Sequence, residues 1–274
     1  MKQIQRYRPF RKHEDDLFFK NKLRQEYILN TTLQRVEIDI ILPTFNRSKL
    51  LSNAVRSINN QLHQKWRLYI CDDGSTDSTF EQCKQYESDP RIKVLKLSHR
   101  GVSSARNSGL VLSTNEYISF LDSDNTWHPE YLSLMVSFMK KFSLDSAYCA
   151  AKLIGDTDEQ WLGDVFSWQA CAQQNYIDLN CFMLKRPVKK ILFDETLERF
   201  VDWDYILNVT KKFRVSYLSS ALVNYCNKKS QKRITTSVYQ NHESIPYIKS
   251  IRDKHLMVMG KSENRDCRIT DNSK

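Results

Sequence analysis

The 274-residue chain contains no CxxC pair, no Cys/His spacing of the zinc type, no GxGxxG and no GxxxxGKS or GxxxxGKT segment. These absences exclude a zinc module, a standard dinucleotide binder and a P-loop NTPase. The seven cysteines, at 71, 83, 149, 171, 181, 226 and 267, are odd in number and unpaired in spacing. They read as reduced, mostly buried thiols of a cytosolic protein. Apolar runs such as Ile38 to Pro43 and Ile118 to Leu121 are far too short to cross a bilayer, and Met1 to Arg11 is too basic and polar for a secretory signal. The chain is expected to stay in the cytoplasm. No helix-turn-helix, zinc or RNA-recognition signature is present, so nucleic acid is not expected as a partner.

What is present is a globular composition, 41% hydrophobic, with an uneven net charge of +10. Residues 1–35 carry +5, residues 36–210 carry −4 and residues 211–274 carry +9. Basic ends around an acidic middle suit a peripheral enzyme beside an anionic membrane surface. A solvated surface accounts equally for any single Lys/Arg cluster.

Apolar spacing predicts an N-terminal helical extension over Glu14 to Asn30. From Val36 the pattern alternates. Strands at Val36 to Leu42, Trp66 to Cys71, Ile92 to Leu97 and Tyr117 to Leu121 are separated by helical segments at Leu50 to Ile58, Ser78 to Tyr86 and Gly101 to Leu112. Alternation of this kind predicts a parallel, doubly wound sheet. Val215 to Tyr225 reads as a closing strand. The expected divisions are an extension (1–35), a strand–helix half (36–135), a second half (136–227) and a basic C-terminal segment (228–274), polar and disordered after Lys261.

Three strand ends carry polar clusters: Thr44-Phe45-Asn46-Arg47 after Pro43, Asp72-Asp73, and Asp122-Ser123-Asp124. Each alone reads as a turn or helix cap. In a parallel sheet, however, all three fall on one edge, where ligands bind. Adjacent carboxylates repel and call for a compensating cation, and oxygen ligands suit Mn²⁺ or Mg²⁺. Arg47 and Arg106 offer cations for phosphate.

The segments IILPTFNRSKLLSNAVRSI, YICDDGSTDST, GVSSARNSGL and ISFLDSDNTWHPEYL, in that order, resemble the nucleotide-binding half of the inverting glycosyltransferases of family 2, across about residues 37–135. The resemblance implies an α/β fold of the GT-A type: one domain with a Rossmann-like, mostly parallel sheet, helices on both faces, the N-terminal extension and a C-terminal acceptor-side appendage. It implies transfer of a sugar from a nucleoside-diphosphate sugar, a UDP-sugar, to a glycan or lipid-linked acceptor.

Position by position, it implies that Pro43, Thr44, Phe45 and Asn46 line the nucleoside pocket beside Arg47. Asp72 or Asp73 would accept from uracil N3–H, and Arg106 would face the ribose and diphosphate. Asp122 and Ser123 would lie at the ribose and the metal's water shell, with Asp124 ligating Mn²⁺ or Mg²⁺, Asp122 assisting and His242 as a third ligand. Arg233, in the Lys228 to Ser237 segment, would reach phosphate.

Phe200-Val201-Asp202-Trp203-Asp204 resembles the family's Glu-Asp-Trp-Asp segment. Asp202 is then the base for the acceptor hydroxyl, with Asp204 in reserve and Trp203 as sugar-site floor or core residue. Val201 stands where the family often has Glu. This departure leaves a non-catalytic nucleotide-sugar-binding protein as the alternative, and a helix N-cap is the plain reading of Asp202. Trp161, Trp168 and Tyr176 offer aromatic faces between the halves.

Overall fold

The computed structural model describes residues 14–154, 160–186, 191–226 and 245–256. The N-terminal extension is α1 (Glu14–Leu29) and a single turn, α2 (Thr31–Gln34). Then come β1 (Ile38–Thr44), α3 (Leu51–Asn59), β2 (Trp66–Asp72), α4 (Thr79–Gln85), β3 (Ile92–Lys96), α5 (Val102–Leu112) and β4 (Tyr117–Phe120). The remainder is β5 (Thr126–Trp127), α6 (Tyr131–Lys141), β6 (Ser146–Ile154), β7 (Gln160–Leu162), α7 (Trp168–Gln173), β8 (Phe182–Lys185), α8 (Val201–Thr210), β9 (Val215–Cys226) and α9 (Ile245–Leu256).

One sheet runs through the molecule in the order β3-β2-β1-β4-β8-β6-β9-β5, with β7 paired to β6. The pairs β3–β2, β2–β1 and β1–β4 are parallel, as the strand–helix alternation predicts. β8 then joins antiparallel to both β4 and β6, while β9 lies parallel to β6 with an irregularity at Cys149 to Ala151. The expected division at 135/136 falls inside α6, and the sheet is continuous across it, so the two halves share one core.

Burial explains the central position of β1. All seven of its residues are buried, and its Ile38, Ile40, Ile41 and Leu42 side chains each contribute at most about 1.5–3 kcal/mol. α5 can lie close to this strand because Gly109 has no side chain. A Cβ there would stand 2.8 Å from Ile41 Cγ2 and 3.2 Å from Cys71 Sγ. The helix that carries Arg106 is thereby pressed against β1 and β2.

α1 docks on α6 through Phe19, which meets the Phe138 ring edge-on, and through a bidentate Arg24–Glu130 ion pair. Its Tyr27 hydroxyl also bonds the buried His63 ring at 2.9 Å. Burial lowers the His63 pKa, so the neutral ring accepts from Tyr27 through Nδ1 and donates through Nε2 to the Val36 carbonyl, 2.8 Å away. Cys71, Cys83, Cys149, Cys171 and Cys181 are buried free thiols and Cys226 is partly buried. Cys267, like Arg233 and His242, lies outside the described residues.

Candidate active site

The carboxyl ends of β1, β2 and β4 open onto a cleft of about 370 Å³ that extends to the start of α8. Its β1–β2 end is built by two loops strapped together. Asn46 adopts a left-handed backbone, φ 50°, which brings its side-chain oxygen to the Thr76 and Asp77 amides at 2.9 and 3.3 Å. Asn46, expected among the nucleoside-lining residues, is therefore spent on holding the loop and does not line the cleft. Asp72 is likewise turned inward. It is fully buried and accepts from the Ser75 amide and hydroxyl, so of the two adjacent aspartates only Asp73 lines the cleft.

Asp73 is held from the α5 side. Its two carboxylate oxygens accept from the Arg100 and Gly101 amides, each at 2.9 Å, and His99 Nδ1 lies 2.9 Å from the second. The His99 ring in turn stacks on Phe45, centroids 4.1 Å apart at 15°. Gly74 makes this turn possible: its φ is 73°, and a Cβ would stand 2.9 Å from the His99 amide. A flat aromatic face beside an acceptor-only carboxylate can stack a base and bind its N–H.

The middle of the cleft is organised by Arg106, whose side chain is 3% exposed. One guanidinium nitrogen donates to Asp122 at 2.8 Å and the other to Asp202 on α8. Burial opposes the Arg106 charge, but the Asp202 and Asp122 carboxylates outweigh it and raise its pKa. Asn180 clamps the other side of Asp122. Its side-chain oxygen accepts from the Asp122 amide at 2.6 Å, and its amide nitrogen donates to Asp122 Oδ2 at 3.1 Å and Asp178 Oδ1 at 2.7 Å. Desolvation, the largest cause, and the Asp122 and Asp202 charges together push Asp178 up to about 6.

Asp202 does not cap its helix. The N-cap of α8 is Phe200, itself left-handed at φ 59°, and Asp202 lies in the first turn with its carboxylate on Arg106. Its side chain keeps 35% exposure toward the cleft. Even so, desolvation by the surrounding protein raises its pKa, with Asp122 adding to the rise and Arg106 opposing it. A carboxylate with a raised pKa is a stronger base than a free one.

Asp204 lies on the opposite side of the same helix. It is fully buried, with His255 Nε2 at 2.8 Å and Lys254 Nζ at 2.9 Å, both from α9. Two residues apart on a helix, side chains diverge by about 200°, so Asp202 and Asp204 cannot share the cleft. This removes Asp204 as a reserve base. Trp203 is 2% exposed, contributes to the cleft wall and donates its indole N–H to the Cys171 carbonyl at 2.7 Å.

Six carboxylates line the cleft (Asp73, Asp122, Asp124, Asp178, Glu198 and Asp202) against three arginines (Arg47, Arg106 and Arg199). This acid excess and its all-oxygen donors fit a hard divalent cation. Among the described residues no three His, Cys, Asp or Glu side chains form a ready metal cage, so substrate oxygens would have to complete the coordination. Both Asp122 oxygens already accept from protein groups, Oδ1 from Arg106 and Oδ2 from Asn180.

Pro43, Thr44, Phe45, Arg47, Asp73, Arg106, Asp122, Ser123, Asp124 and Asp202 thus share one cleft. Trp161, Trp168 and Tyr176 do not line it. His99, Asp178, Asn180, Glu198 and Arg199 were missed by the sequence reading. Asp178-Leu179-Asn180 repeats the i, i+2 polar spacing of Asp122 and Asp124, but nothing in the sequence says that it meets them.

Likeness to solved structures gives the class. The structure of Staphylococcus aureus TarS 1–349 in complex with UDP-GlcNAc matches with a TM-score of 0.68 over 84% of this chain and 68% of that one, at 19% identity. This chain has the GT-A fold. The family follows from the sequence: the model of Glycosyl transferase family 2 matches residues 39–188, more than half of the chain, and the chain belongs to that family.

Among curated relatives, the Escherichia coli UDP-Glc:alpha-D-GlcNAc-diphosphoundecaprenol beta-1,3-glucosyltransferase WfgD is 32% identical over 120 residues, 43% of this chain and 47% of that protein. Escherichia coli chondroitin synthase is 28% identical over 197 residues, 69% of this chain and 29% of that protein. The chain therefore spans less than half the length of these relatives.

Proposed function

We propose that this chain transfers a sugar from a UDP-sugar to an acceptor hydroxyl with inversion, in the synthesis of a surface polysaccharide or glycoconjugate. The observation that carries this reading is the Arg106 bridge. It sets the carboxylate of Asp202, on the acceptor half, beside Asp122 at the end of β4, where the donor diphosphate would lie. Base and leaving group must act from opposite faces of the transferred sugar for inversion, and in this reading Asp202 serves one face and the diphosphate site at Asp122 and Asp124 the other.

In this reading Phe45 and His99 stack the uracil and Asp73 accepts its N3–H. Thr44, Pro43 and Arg47 complete the nucleoside end. Asp202 takes the proton from the acceptor hydroxyl as that oxygen attacks the anomeric carbon. Arg106 holds Asp202 in place and offsets the charge of Asp122. Asp178 accepts from a sugar hydroxyl through the oxygen that Asn180 leaves unused. Mn²⁺ or Mg²⁺, held by Asp124 with help from Asp122 and Ser123, would neutralise charge growing on the diphosphate. Val201 is buried beside Asp202, so the Glu of the family pattern is replaced by an apolar contact.

A lipid-diphosphate-linked acceptor is proposed from the name of the WfgD relative and from the basic ends of the chain. No helix among the described residues is long and apolar enough to cross a membrane, and basic segments at both ends would favour electrostatic attachment to an anionic surface. Flotation with anionic liposomes at low salt checks the attachment.

The reading as a whole is tested by a thermal-shift screen of nucleotide sugars with and without Mn²⁺. NMR of the product anomer from the best donor then follows. A metal-enhanced shift with UDP-sugars and an inverted product are expected. UDP binding with no transfer or hydrolysis of any donor would instead identify a non-catalytic binding protein.

A further inference from the structure

The residues of the cleft that bear charge are nearly all accounted for within the chain. Arg106 is shared between two aspartates, the Asp73 carboxylate accepts from two backbone amides, and Asp178 is held by Asn180. Arg106 Nε is also buried without a partner, but both terminal nitrogens of that guanidinium are paired with aspartates, which is not so of Arg199. Arg199 lines the cleft three residues before Asp202, and its Nη1 is buried without any hydrogen-bond partner. A guanidinium nitrogen cannot shed its charge, and a buried donor left unpaired is costly, so such a group is retained where a ligand supplies the acceptor.

The neighbouring acids do not serve it. Glu198 takes the Tyr247 hydroxyl at 2.9 Å, and Asp202 takes Arg106. Tyr247 of α9 also presents its ring to the Arg199 guanidinium, 5.5 Å from centroid to Cζ, which steadies the cation without satisfying its N–H groups. Phe200 follows in a left-handed backbone that a bulky side chain rarely adopts, and the chain turns there from the cleft rim into α8. The rim is thus built to hold Arg199 beside the base and not to pair it.

We propose that Arg199 recognises an anionic group, a carboxylate or a phosphate, carried by the acceptor close to the hydroxyl that receives the sugar. The assignment to the acceptor rests on the functional reading above. Asp202 must approach from the face opposite the leaving diphosphate, and Arg199 lines the cleft three residues before Asp202 in the chain. Carboxylate and phosphate share the planar or forked oxygen pair that a guanidinium binds bidentately.

The test uses the full chain saturated with UDP and Mn²⁺, so that the donor site is closed to the probes. Affinities are measured by NMR titration for two matched pairs: methyl β-glucuronide against methyl β-glucoside, and N-acetylglucosamine 1-phosphate against N-acetylglucosamine. Wild-type protein is expected to bind the charged member of one pair at least tenfold more tightly than the neutral one. The pair concerned identifies carboxylate or phosphate.

Arg199→Gln should abolish that preference while UDP affinity stays within twofold. Arg199→Lys, which keeps the charge but not the fork, should retain part of it. Equal affinity within both pairs for wild type, or a preference that survives in Arg199→Gln, overturns the proposal. So does a tenfold loss of UDP affinity in Arg199→Gln, which would make Arg199 a diphosphate contact. If wild type binds no UDP at all, the nucleotide-sugar reading fails first and this inference fails with it.

Discussion

Arg106 on α5 donates to the carboxylate of Asp202 on α8, across 96 residues of chain. The contact joins α5, which packs on β1 and β2, to the start of α8. Arg106→Gln leaves Asp122 and Asp202 facing each other without the intervening cation. Removing one member of a buried ion pair costs about 3–5 kcal/mol. The carboxylates here are 29% and 35% exposed, so the low end, about 3 kcal/mol, is expected. Urea denaturation of the variant beside wild type measures it, and a change under about 0.5 kcal/mol would show the bridge to be energetically idle.

Asp202 and Asp124 are expected to fail in different ways. Asp202→Asn keeps the hydrogen-bonding shape but cannot take a proton, so kcat should fall by about 10²–10⁴ with UDP affinity nearly unchanged. Asp124→Ala should remove the gain in UDP affinity that Mn²⁺ brings. Calorimetry with UDP in the presence and absence of Mn²⁺, together with turnover, separates the two. Near-normal turnover in Asp202→Asn would sink its role as base.

Asp178 gives the metal-free protein a pH dependence of stability. Its folded pKa is raised to about 6 against an ordinary 3.8, so the folded state holds the proton more tightly than the unfolded chain does. Between those values the folded state binds more protons, and stability falls as pH rises. Asp178→Asn removes this penalty, so the difference in denaturation midpoint between pH 4 and pH 7 should shrink. The variant should also gain on wild type at pH 7 relative to pH 4. A variant whose pH profile overlays that of wild type would contradict this.

Asp204 should behave as a structural residue although it belongs to the same five-residue motif as Asp202. Its side chain is 1% exposed and anchors α9 through His255 and Lys254. Asp204→Ala leaves Lys254 and His255 both short of their partner and should cost about 3 kcal/mol or more. Asp204→Asn, which preserves a hydrogen bond to α9, should keep turnover per folded molecule within tenfold of wild type. A loss as large as that of Asp202→Asn would return Asp204 to the chemistry.

Much of the donor half was legible in the sequence because its signals are local. Apolar runs ending in polar residues at Pro43-Thr44, Asp72-Asp73 and Asp122-Asp124 read as buried strands, and parallel pairing then puts their ends on one edge. Motif order identified the family for the same reason. The direction of each side chain was not legible. Asn46 and Asp72 are polar residues of the expected type, yet loop hydrogen bonds turn them away from the cleft. Asp204 differs from Asp202 by two positions along a helix and therefore faces the core.

By itself, then, the sequence determined the donor half of the sheet, the edge on which its polar strand ends gather and the family, since periodicity and spacing are properties of neighbouring residues. Only the tertiary structure decided which carboxylates share the cleft. Asp122 meets Arg106 and Asn180, Asp202 meets Arg106, and Asp204 meets His255 and Lys254, and the contacts to Asp202, Asn180 and His255 join segments 51 to 96 residues apart. Arg199 is the clearest case: its significance lies in the bonds that its neighbours make elsewhere, and no spacing of residues records that.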